Sequence, residues 1–425
     1  MNPTGSFTSL QDWLPWLETL SPREIVLGLE RVEDVLGRLS IKRPKLVVNV
    51  AGTNGKGSSV AMLEAMLRKD GMRIGCYTSP HLICYNERIR IAGKSASDAE
   101  IVEALERVEA VRGDTPLTFF EFGTLAALVA FARADIEIWI LEVGMGGRLD
   151  AVNAIDPDAS LITNVSLDHC AWLGDNVESI AREKAGVMRR AKPVIFGSES
   201  VPQAIMDYAT ESGADLRIAG KDFSFGADQT DFSRWSWHGS RIELNGLQRP
   251  ALPGDVQLAN AAAVLAVIEA LGLDHLLESA HVSDALASID LPGRFQVIDN
   301  RWILDVAHNP QAAAVLADRL NERQIEGRIT AIVGMLADKD VEGFVAPLLD
   351  IVDSWIAVSV TGSRAQSAAK LAPMVADLTG KPCRIMDDPN DAFRFADEQA
   401  GENDVILVAG SFYIVGPALK WIEAN

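Results

Sequence analysis

The sequence predicts an α/β fold with a mostly parallel sheet in each of two domains. Short β-branched runs alternate with stretches of helical spacing along most of the 425 residues. Glycine-rich or polar residues follow several of these runs, and the carboxyl ends of parallel strands usually carry functional groups. The chain is too long for one ordinary core, and Pro292-Gly293 interrupts a helical region. We therefore predict a first α/β domain over residues 1–292 and a smaller Rossmann-like α/β domain over residues 293–425.

The predicted elements follow from the spacing of apolar residues. Two helices come first, at 9–20 and 23–39, and the second has Ser21 as its N-cap and Pro22 in its first turn. Further strands of the first domain are predicted at 47–50, 73–78, 136–143, 159–165 and 193–196, with helices at 60–69, 97–112, 118–134, 177–188 and 260–271. Residues 86–91 are predicted to be extended, and residues 221–247 to form a small antiparallel excursion. In the second domain, strands are predicted at 302–306, 328–333, 354–360 and 405–408, and helices at 311–321, 341–349 and 365–378.

The composition predicts a soluble cytoplasmic protein, which we expect to be a monomer. Its formal net charge of -20 argues against non-specific binding to nucleic acid or to an anionic membrane. The four cysteines show no C-x-x-C pair and no metal-ligand spacing, which favours a reduced compartment. The N-terminus does not have the pattern of a secretory signal, and no apolar run is long enough to span a bilayer.

A phosphate-binding loop is predicted at residues 52–58 (GTNGKGS). A β-branched run precedes it and a helical run follows it, which is the context that such a loop requires. Glycines let backbone N–H groups face an anion, the helix N-terminus adds its positive end, and Lys56 adds a full charge. The strict pattern G-x-x-x-x-G-K-[ST] is not met, because position 50 is valine and Gly57 separates Lys56 from Ser58. A plain glycine-rich turn is the alternative.

Three further side chains lie at or just past the ends of predicted strands: Ser79, Glu142 and His169. A carboxylate such as Glu142 is the hard oxygen ligand that Mg²⁺ prefers, so these residues predict a magnesium–nucleotide site. Each also has a simpler explanation, as an exposed strand-end acid or a hydrogen-bonded histidine. Lys184, by composition alone, would be a solvated helix lysine.

The second domain has its own candidates at the end of a predicted strand. Asp305, His308 and Asn309 are placed where nucleotide contacts are expected. The alternative is a capped turn, because Asn-Pro is a common helix entry.

Taken together, these motifs resemble the Mur ligase superfamily, and within it the folylpolyglutamate synthase/dihydrofolate synthase branch. The matching segments occur in one order over nearly the whole chain: 28–31 (GLER), 52–58, 78–82 (TSPHL), 86–91 (NERIRI), 118–121 (TFFE), 142–150 (EVGMGGRLD), 168–169 (DH), 183–186 (EKAG), 292–294 (PGR), 304–310 (LDVAHNP) and 410–413 (GSFY). The phosphate loop that departs from the strict pattern is the family's own form.

The resemblance implies a Mur-ligase-like fold and an ATP-dependent amide ligase. ATP would convert a substrate carboxylate to an acyl phosphate, which the amino group of L-glutamate would then attack. The implied acceptors are dihydropteroate and, for further glutamates, tetrahydrofolates. The implied cofactors are ATP and two Mg²⁺ ions.

The resemblance also implies roles for individual residues. Catalytic roles fall on Lys56, Lys184 and His308. Nucleotide contacts fall on Asn54, Gly55, Lys56, Gly57, Ser58, Asn260, Arg294 and Asp305. The pterin-bearing substrate would lie against Gly28, Leu29, Glu30, Thr118, Phe119, Phe120, Glu121, Leu149, Asp150 and Ala151. The metal ligands would be Ser79 and Glu142 for one ion, and Glu142, His169 and a carbamylated Lys184 for the second.

The chain departs from the family pattern at Ala92, Met145 and Val152, where Asn, Leu and Thr are commoner. None of these is an implied ligand.

Two other functions stay open at this point. A Mur ligase acting on a UDP-linked precursor is disfavoured because the phosphate loop starts only about fifty residues into the chain. A nucleotide-dependent switch would not need the second-domain residues.

Overall fold

A computed structural model describes residues 7–21, 24–68, 71–362 and 364–425. The chain forms two compact units. The N-terminal unit comprises Met1–Val165, Asp175–Ala251 and Asp255–Ile289, and the C-terminal unit comprises Ser166–Gly174, Leu252–Gly254 and Asp290–Asn425. The domain boundary at residue 292 stays a prediction, and the two short segments of the C-terminal unit were not foreseen.

The N-terminal unit contains an eight-stranded sheet in the order β4-β3-β2-β5-β1-β6-β7-β8. Its strands are β1 (Leu46–Ala51), β2 (Ile74–Tyr77), β3 (Ile89–Ile91), β4 (Lys94–Ser95), β5 (Ile138–Glu142), β6 (Ala159–Ile162), β7 (Pro193–Phe196) and β8 (Asp215–Ile218). Neighbouring strands are parallel throughout β2-β5-β1-β6-β7-β8. The pairs β2–β3 and β3–β4 are antiparallel. The central strands are buried along almost their whole length, as expected for a sheet covered on both faces.

The helices of this unit cover the sheet. They are α1 (Leu10–Thr19), α2 (Glu30–Leu39), α3 (Lys56–Arg68), α4 (Asp98–Arg112), α5 (Phe119–Arg133), α7 (Val177–Ala185), α8 (Gln203–Ser212), α9 (Asp255–Ala270) and α10 (Ser279–Ala287). The predicted antiparallel excursion is confirmed as β9 (Ser224–Ala227), β10 (Arg234–His238) and β11 (Glu243–Gln248).

The C-terminal unit contains a six-stranded sheet in the order β12-β13-β17-β14-β15-β16, of which only β12 is antiparallel. Its strands are β12 (Gln296–Ile298), β13 (Trp302–Leu304), β14 (Ile329–Val333), β15 (Ser354–Val358), β16 (Cys383–Met386) and β17 (Val405–Ala409). Its helices are α6 (Cys170–Leu173), α11 (Pro310–Glu322), α12 (Val341–Val345), α13 (Ala368–Thr379), α14 (Pro389–Gln399) and α15 (Phe412–Ala424). In the part of the chain that the structure describes, no helix has both the length and the apolar character to cross a membrane.

Several predicted helix starts were wrong, and α3, predicted to begin at residue 60, begins at Lys56. The second helix begins at Glu30, not at residue 23, because Gly28 adopts a φ of 146° that a helix does not allow. Pro22, predicted in the first turn of that helix, lies outside the described residues. The helix predicted to open at Asn260 begins at Asp255, so that Asn260 lies within α9. The prediction missed the strands β4, β8, β12 and β16 and the helices α6, α8, α10, α14 and α15.

Candidate active site

The phosphate loop connects β1 to α3, as the sequence predicts. Gly52 and Gly55 adopt φ values of 141° and 84°. A Cβ atom at Gly52 would lie 1.8 Å from Thr163 Oγ1, and one at Gly55 would lie 2.6 Å from Asn260 Oδ1. Only glycine therefore fits at either position, and the predicted nucleotide residue Asn260 packs directly on the loop.

Lys56 lies in the first turn of α3, and its ammonium group bends back over the loop. Its Nζ donates to the carbonyl oxygens of Gly52 and Thr53, both at 3.1 Å. Gly57 and the buried Ser58 follow it in the same helix. A full positive charge thus lies at the helix N-terminus, where an anionic phosphate group is favoured.

Two residues that the sequence analysis missed hold Asn54 in place. Thr163 Oγ1 donates to the Asn54 carbonyl at 2.6 Å. Asn164 donates to the same carbonyl at 3.0 Å, and it accepts from the Asn54 amide at 3.1 Å. Both residues follow β6, which ends at Ile162, whereas the predicted strand at 159–165 enclosed them.

Lys184, on α7, lies against the same loop. Its side chain is buried, and Nζ donates to the Gly52 carbonyl at 2.9 Å. The structure thus brings Lys56 and Lys184 to one carbonyl oxygen within the N-terminal unit. As an ammonium group Lys184 cannot bind a cation, so its predicted role as a metal ligand requires the carbamylated form.

Glu142 and Ser79 come together at the carboxyl ends of β5 and β2. The amide of Ser79 donates to Glu142 Oε2 at 3.1 Å, and Glu142 is buried. A buried carboxylate beside a hydroxyl is the oxygen donor set that Mg²⁺ accepts, because Mg²⁺ usually takes one or two carboxylates together with substrate phosphates. No cluster of three or more His, Cys, Asp or Glu side chains suited to a metal occurs in the described ranges.

The three segments predicted to contact the pterin meet in the N-terminal unit. The Gly28 amide donates to the Leu149 carbonyl at 3.3 Å. A Cβ atom on Gly144 would lie 2.6 Å from the ring of Phe120, so the glycine lets this ring approach the backbone. Of the other predicted contacts, Thr118, Glu121, Asp150 and Ala151 are buried, Leu29 and Phe119 are partly buried, and Glu30 is exposed.

Asp150 is a buried carboxylate whose oxygens accept the amides of Met145 and Val152 at 2.9 and 3.1 Å. Burial raises the pKa of Asp150 to about 7, although those amides and the charge of Lys56 oppose the shift. This carboxyl group can therefore exchange a proton near neutral pH.

In the C-terminal unit, Asp305 follows β13 and accepts the amides of Phe295 and Ala307 at 2.8 and 2.7 Å. Desolvation raises the pKa of Asp305, and the positive charge of Arg294 opposes this. The Arg294 guanidinium lies 5.2 Å from the centre of the Phe412 ring. Arg294 and Asp305 are thus neighbours in this unit.

Asp168 is the centre of a buried polar cluster in the same unit. Lys339 Nζ lies 2.5 Å from its Oδ1, Asn309 Nδ2 donates to its Oδ2 at 3.2 Å, and His308 Nε2 lies 3.5 Å from Oδ2. Burial by itself would raise the pKa of Asp168, but the hydrogen bond from His308 and the charges of His169 and Lys339 hold that pKa well below its usual range.

His169 itself follows directly, in a left-handed conformation with φ of 52°. It belongs to the C-terminal unit, whereas Ser79, Glu142 and Lys184 belong to the N-terminal unit. Lys339 was missed by the sequence analysis, and no spacing pattern marked it.

A phosphate loop in one α/β unit, followed by a second α/β unit, fits the Mur ligase class that the sequence motifs resemble. The family model of the Mur ligase middle domain matches residues 50–268, and that of the Mur ligase, glutamate ligase domain matches residues 293–412. The predicted fold class and the prediction of a ligase are confirmed.

The relatives narrow the class to one family. The chain is 41% identical to the dihydrofolate synthase/folylpolyglutamate synthase of Escherichia coli (strain K12), over 98% of this chain and 96% of the relative. The solved structure of E. coli FolC in complex with DHPP and ADP matches with a TM-score of 0.91 at 40% identity, over 98% of each chain. A Yersinia pestis bifunctional folylpolyglutamate synthase/dihydrofolate synthase complexed with AMPPNP and a Mn ion matches with a TM-score of 0.90 at 43% identity, over 100% of each chain. This chain belongs to the dihydrofolate synthase/folylpolyglutamate synthase family.

Proposed function

We propose that this protein joins L-glutamate to dihydropteroate and adds further glutamates to tetrahydrofolates, in each case with cleavage of ATP. The observation that carries the proposal is that the ammonium groups of Lys56 and Lys184 both donate to the phosphate loop. The Glu142–Ser79 pair belongs to the same unit. The proposed domains are residues 1–292 for ATP binding and residues 293–425 for the ligase domain.

The first chemical step is transfer of the terminal phosphoryl group of ATP to the substrate carboxylate. A carboxylate is a poor electrophile, and the acyl phosphate supplies it with a leaving group. Lys56 and the amides of the loop, including Asn54, Gly55, Gly57 and Ser58, stabilise the negative charge on the transferring group. Asn260 would hold the loop, and Arg294 and Asp305 would contact the nucleotide.

The second step is attack of the amino group of glutamate on the acyl phosphate, with release of inorganic phosphate. We propose that His308 stabilises charge in this step. The bound Mg²⁺ ions, two in number, would neutralise the repulsion between carboxylate and phosphate. Ser79 and Glu142 would hold one ion, and Glu142, His169 and carbamylated Lys184 the other.

The pterin-bearing part of the substrate lies against the segments around Gly28, Phe120 and Leu149. A pterin carries adjacent N–H donors, and Asp150 is a carboxylate within these segments. The chain would act in the cytoplasm as a monomer without nucleic-acid partners. Light scattering of the purified protein tests the monomeric state.

The deciding experiment is phosphate release from ATP with Mg²⁺, L-glutamate and either dihydropteroate or tetrahydrofolate. Release with both acceptors is expected, and release with one narrows the function to that activity. Release only with a UDP-linked muramoyl acceptor would move the chain to another Mur ligase activity. ATP hydrolysis without any acceptor would favour a nucleotide switch.

A further inference from the structure

Arg31 and Glu121 form an ion pair, with two N–H groups of Arg31 donating to the carboxylate, among the segments proposed to hold the pterin. Arg31 Nη2 and Nε lie 2.6 and 3.1 Å from Glu121 Oε1. Glu121 Oε2 accepts the Thr118 amide at 2.8 Å, within the capping box that begins α5. The Glu121 side chain is 4% exposed. Both of its carboxylate oxygens are therefore occupied inside the protein.

The same arginine fixes the segment that precedes α2. Arg31 Nη2 also donates to the Val26 carbonyl at 2.8 Å. Residues 25–29 contain no helix or strand, and Gly28 is the only buried one among them. The apolar residues of this segment are only partly buried, and no helix or strand holds its backbone, so its hydrogen bonds contribute strongly to its conformation. A further backbone anchor is the hydrogen bond from the Gly28 amide to the Leu149 carbonyl.

We propose that Arg31 and Glu121 are positioning residues that act as one unit. Together they hold residues 26–30 against the start of α5, in the arrangement that the pterin-bearing substrate requires. This inference rests on the proposed function, and it changes the expected role of Glu121 from substrate contact to positioning.

The chemistry of arginine explains why this residue type is needed. Its planar fork donates two N–H groups to one carboxylate and still reaches a carbonyl, whereas a lysine ammonium group cannot keep that geometry. Arg31→Lys therefore retains the charge and removes the simultaneous contacts to Glu121 and Val26. Glu121→Gln removes the charge and retains much of the shape.

The test measures initial rates of phosphate release at varied dihydropteroate concentration for Arg31→Lys, Glu121→Gln and the double variant. We expect KM for dihydropteroate to rise about 10- to 100-fold in each, because a displacement of about 1 Å costs that much. KM for ATP should stay within about twofold of the wild-type value. The double variant should be no worse than the worse single variant, because coupled residues are not additive.

Hydrogen exchange of the amides of residues 25–29 gives a readout besides activity, and it should quicken in Arg31→Lys. Arg90→Lys is the matched control, because Arg90 pairs with Glu64 in the same unit with similar side-chain exposure, 19% and 9% against 23% and 4%. The control should lower thermal stability and leave KM for dihydropteroate unchanged.

The possible failures are distinguishable. If the wild-type protein releases no phosphate with dihydropteroate, the proposed function fails. If it does, and Arg31→Lys has an unchanged KM, the positioning role is wrong. If KM for dihydropteroate rises in Glu121→Gln but not in Arg31→Lys, Glu121 contacts the substrate itself, and the positioning role is wrong.

Discussion

The ammonium group of Lys339 lies 2.5 Å from Oδ1 of Asp168, and their side chains are only 5% and 7% exposed. Asp168 precedes His169, the predicted metal ligand, and lies 3.5 Å from His308, a predicted catalytic residue. One buried ion pair in the C-terminal unit thus supports the position of both histidines. Breaking it should affect stability and activity together.

We expect Lys339→Met to destabilise the protein by about 3–5 kcal/mol, because the Asp168 carboxylate is left buried without its cation. Urea unfolding measures this. Arg328→Met is a control, since Arg328 is 73% exposed in its pair with Asp404, and its loss should cost about 1 kcal/mol or less. Combining Lys339→Met with Asp168→Asn should recover part of the stability. Equal losses in Lys339→Met and Arg328→Met would contradict the importance of the buried pair.

Lys184→Met should lower kcat by about 100-fold or more, because it removes a charged group placed beside the phosphate loop. The rate of phosphate release measures the change. Lys192→Met is the control, because its side chain is 46% exposed and pairs with Asp158 at the surface. An active Lys184→Met protein would remove Lys184 from the catalytic residues. Partial rescue by a small added carboxylate would support the carbamylated form as the working one.

Glu142→Gln should raise the Mg²⁺ concentration needed for half-maximal activity and lower the maximal rate by about 100-fold. The substitution keeps an acceptor for the Ser79 amide and removes the charge that attracts the cation. A magnesium titration of activity measures both effects. Glu137→Gln, just before the same strand, removes an acid that pairs with Lys45 and should leave the titration unchanged. If the two variants titrate alike, Glu142 does not bind the metal.

Asp150 should make stability fall as the pH rises from about 4 to about 7. Burial raises the pKa of Asp150 from 3.8 to about 7, so over this range the folded chain holds a proton that the unfolded chain releases. The Asp150 proton therefore contributes to the free energy of unfolding at low pH. This contribution is lost as the pH rises through 7, by at most about 1.4 kcal/mol per pH unit.

Melting temperatures of the wild-type and Asp150→Asn proteins across this pH range measure the effect. Asp150→Asn should melt lower at every pH, because an amide cannot accept from both Met145 and Val152. Its deficit relative to wild type should shrink as the pH rises, because only the wild-type protein loses the stabilisation from the Asp150 proton. Asp135→Asn is the control, because that side chain is 83% exposed. Parallel curves for wild type and Asp150→Asn would show that Asp150 does not titrate in this range.

Much of the site could be predicted because its signals are local. The run into residues 52–58 specifies a strand, a glycine turn and a helix start within a few residues, and the structure places β1 and α3 there. Glu142 could be singled out because it ends an apolar run. The start of α2 could not be predicted, because two hydrogen bonds hold the preceding segment out of a helix: Arg31 donates to the Val26 carbonyl, and the Gly28 amide donates to the Leu149 carbonyl. The start of α9 was predicted five residues too late, although no residue between Asp255 and Asn260 interrupts the helical pattern.

The sequence by itself determined the fold class, the family and the chemical identity of the loop, because periodicity, glycine placement and motif order are properties of short segments. Only the tertiary structure decided the partners of the charged side chains. Lys339 pairs with a carboxylate 171 positions away, and Arg31 with one 90 positions away. Such pairs form because a buried charge requires a partner, and the fold alone determines which distant charge lies within reach.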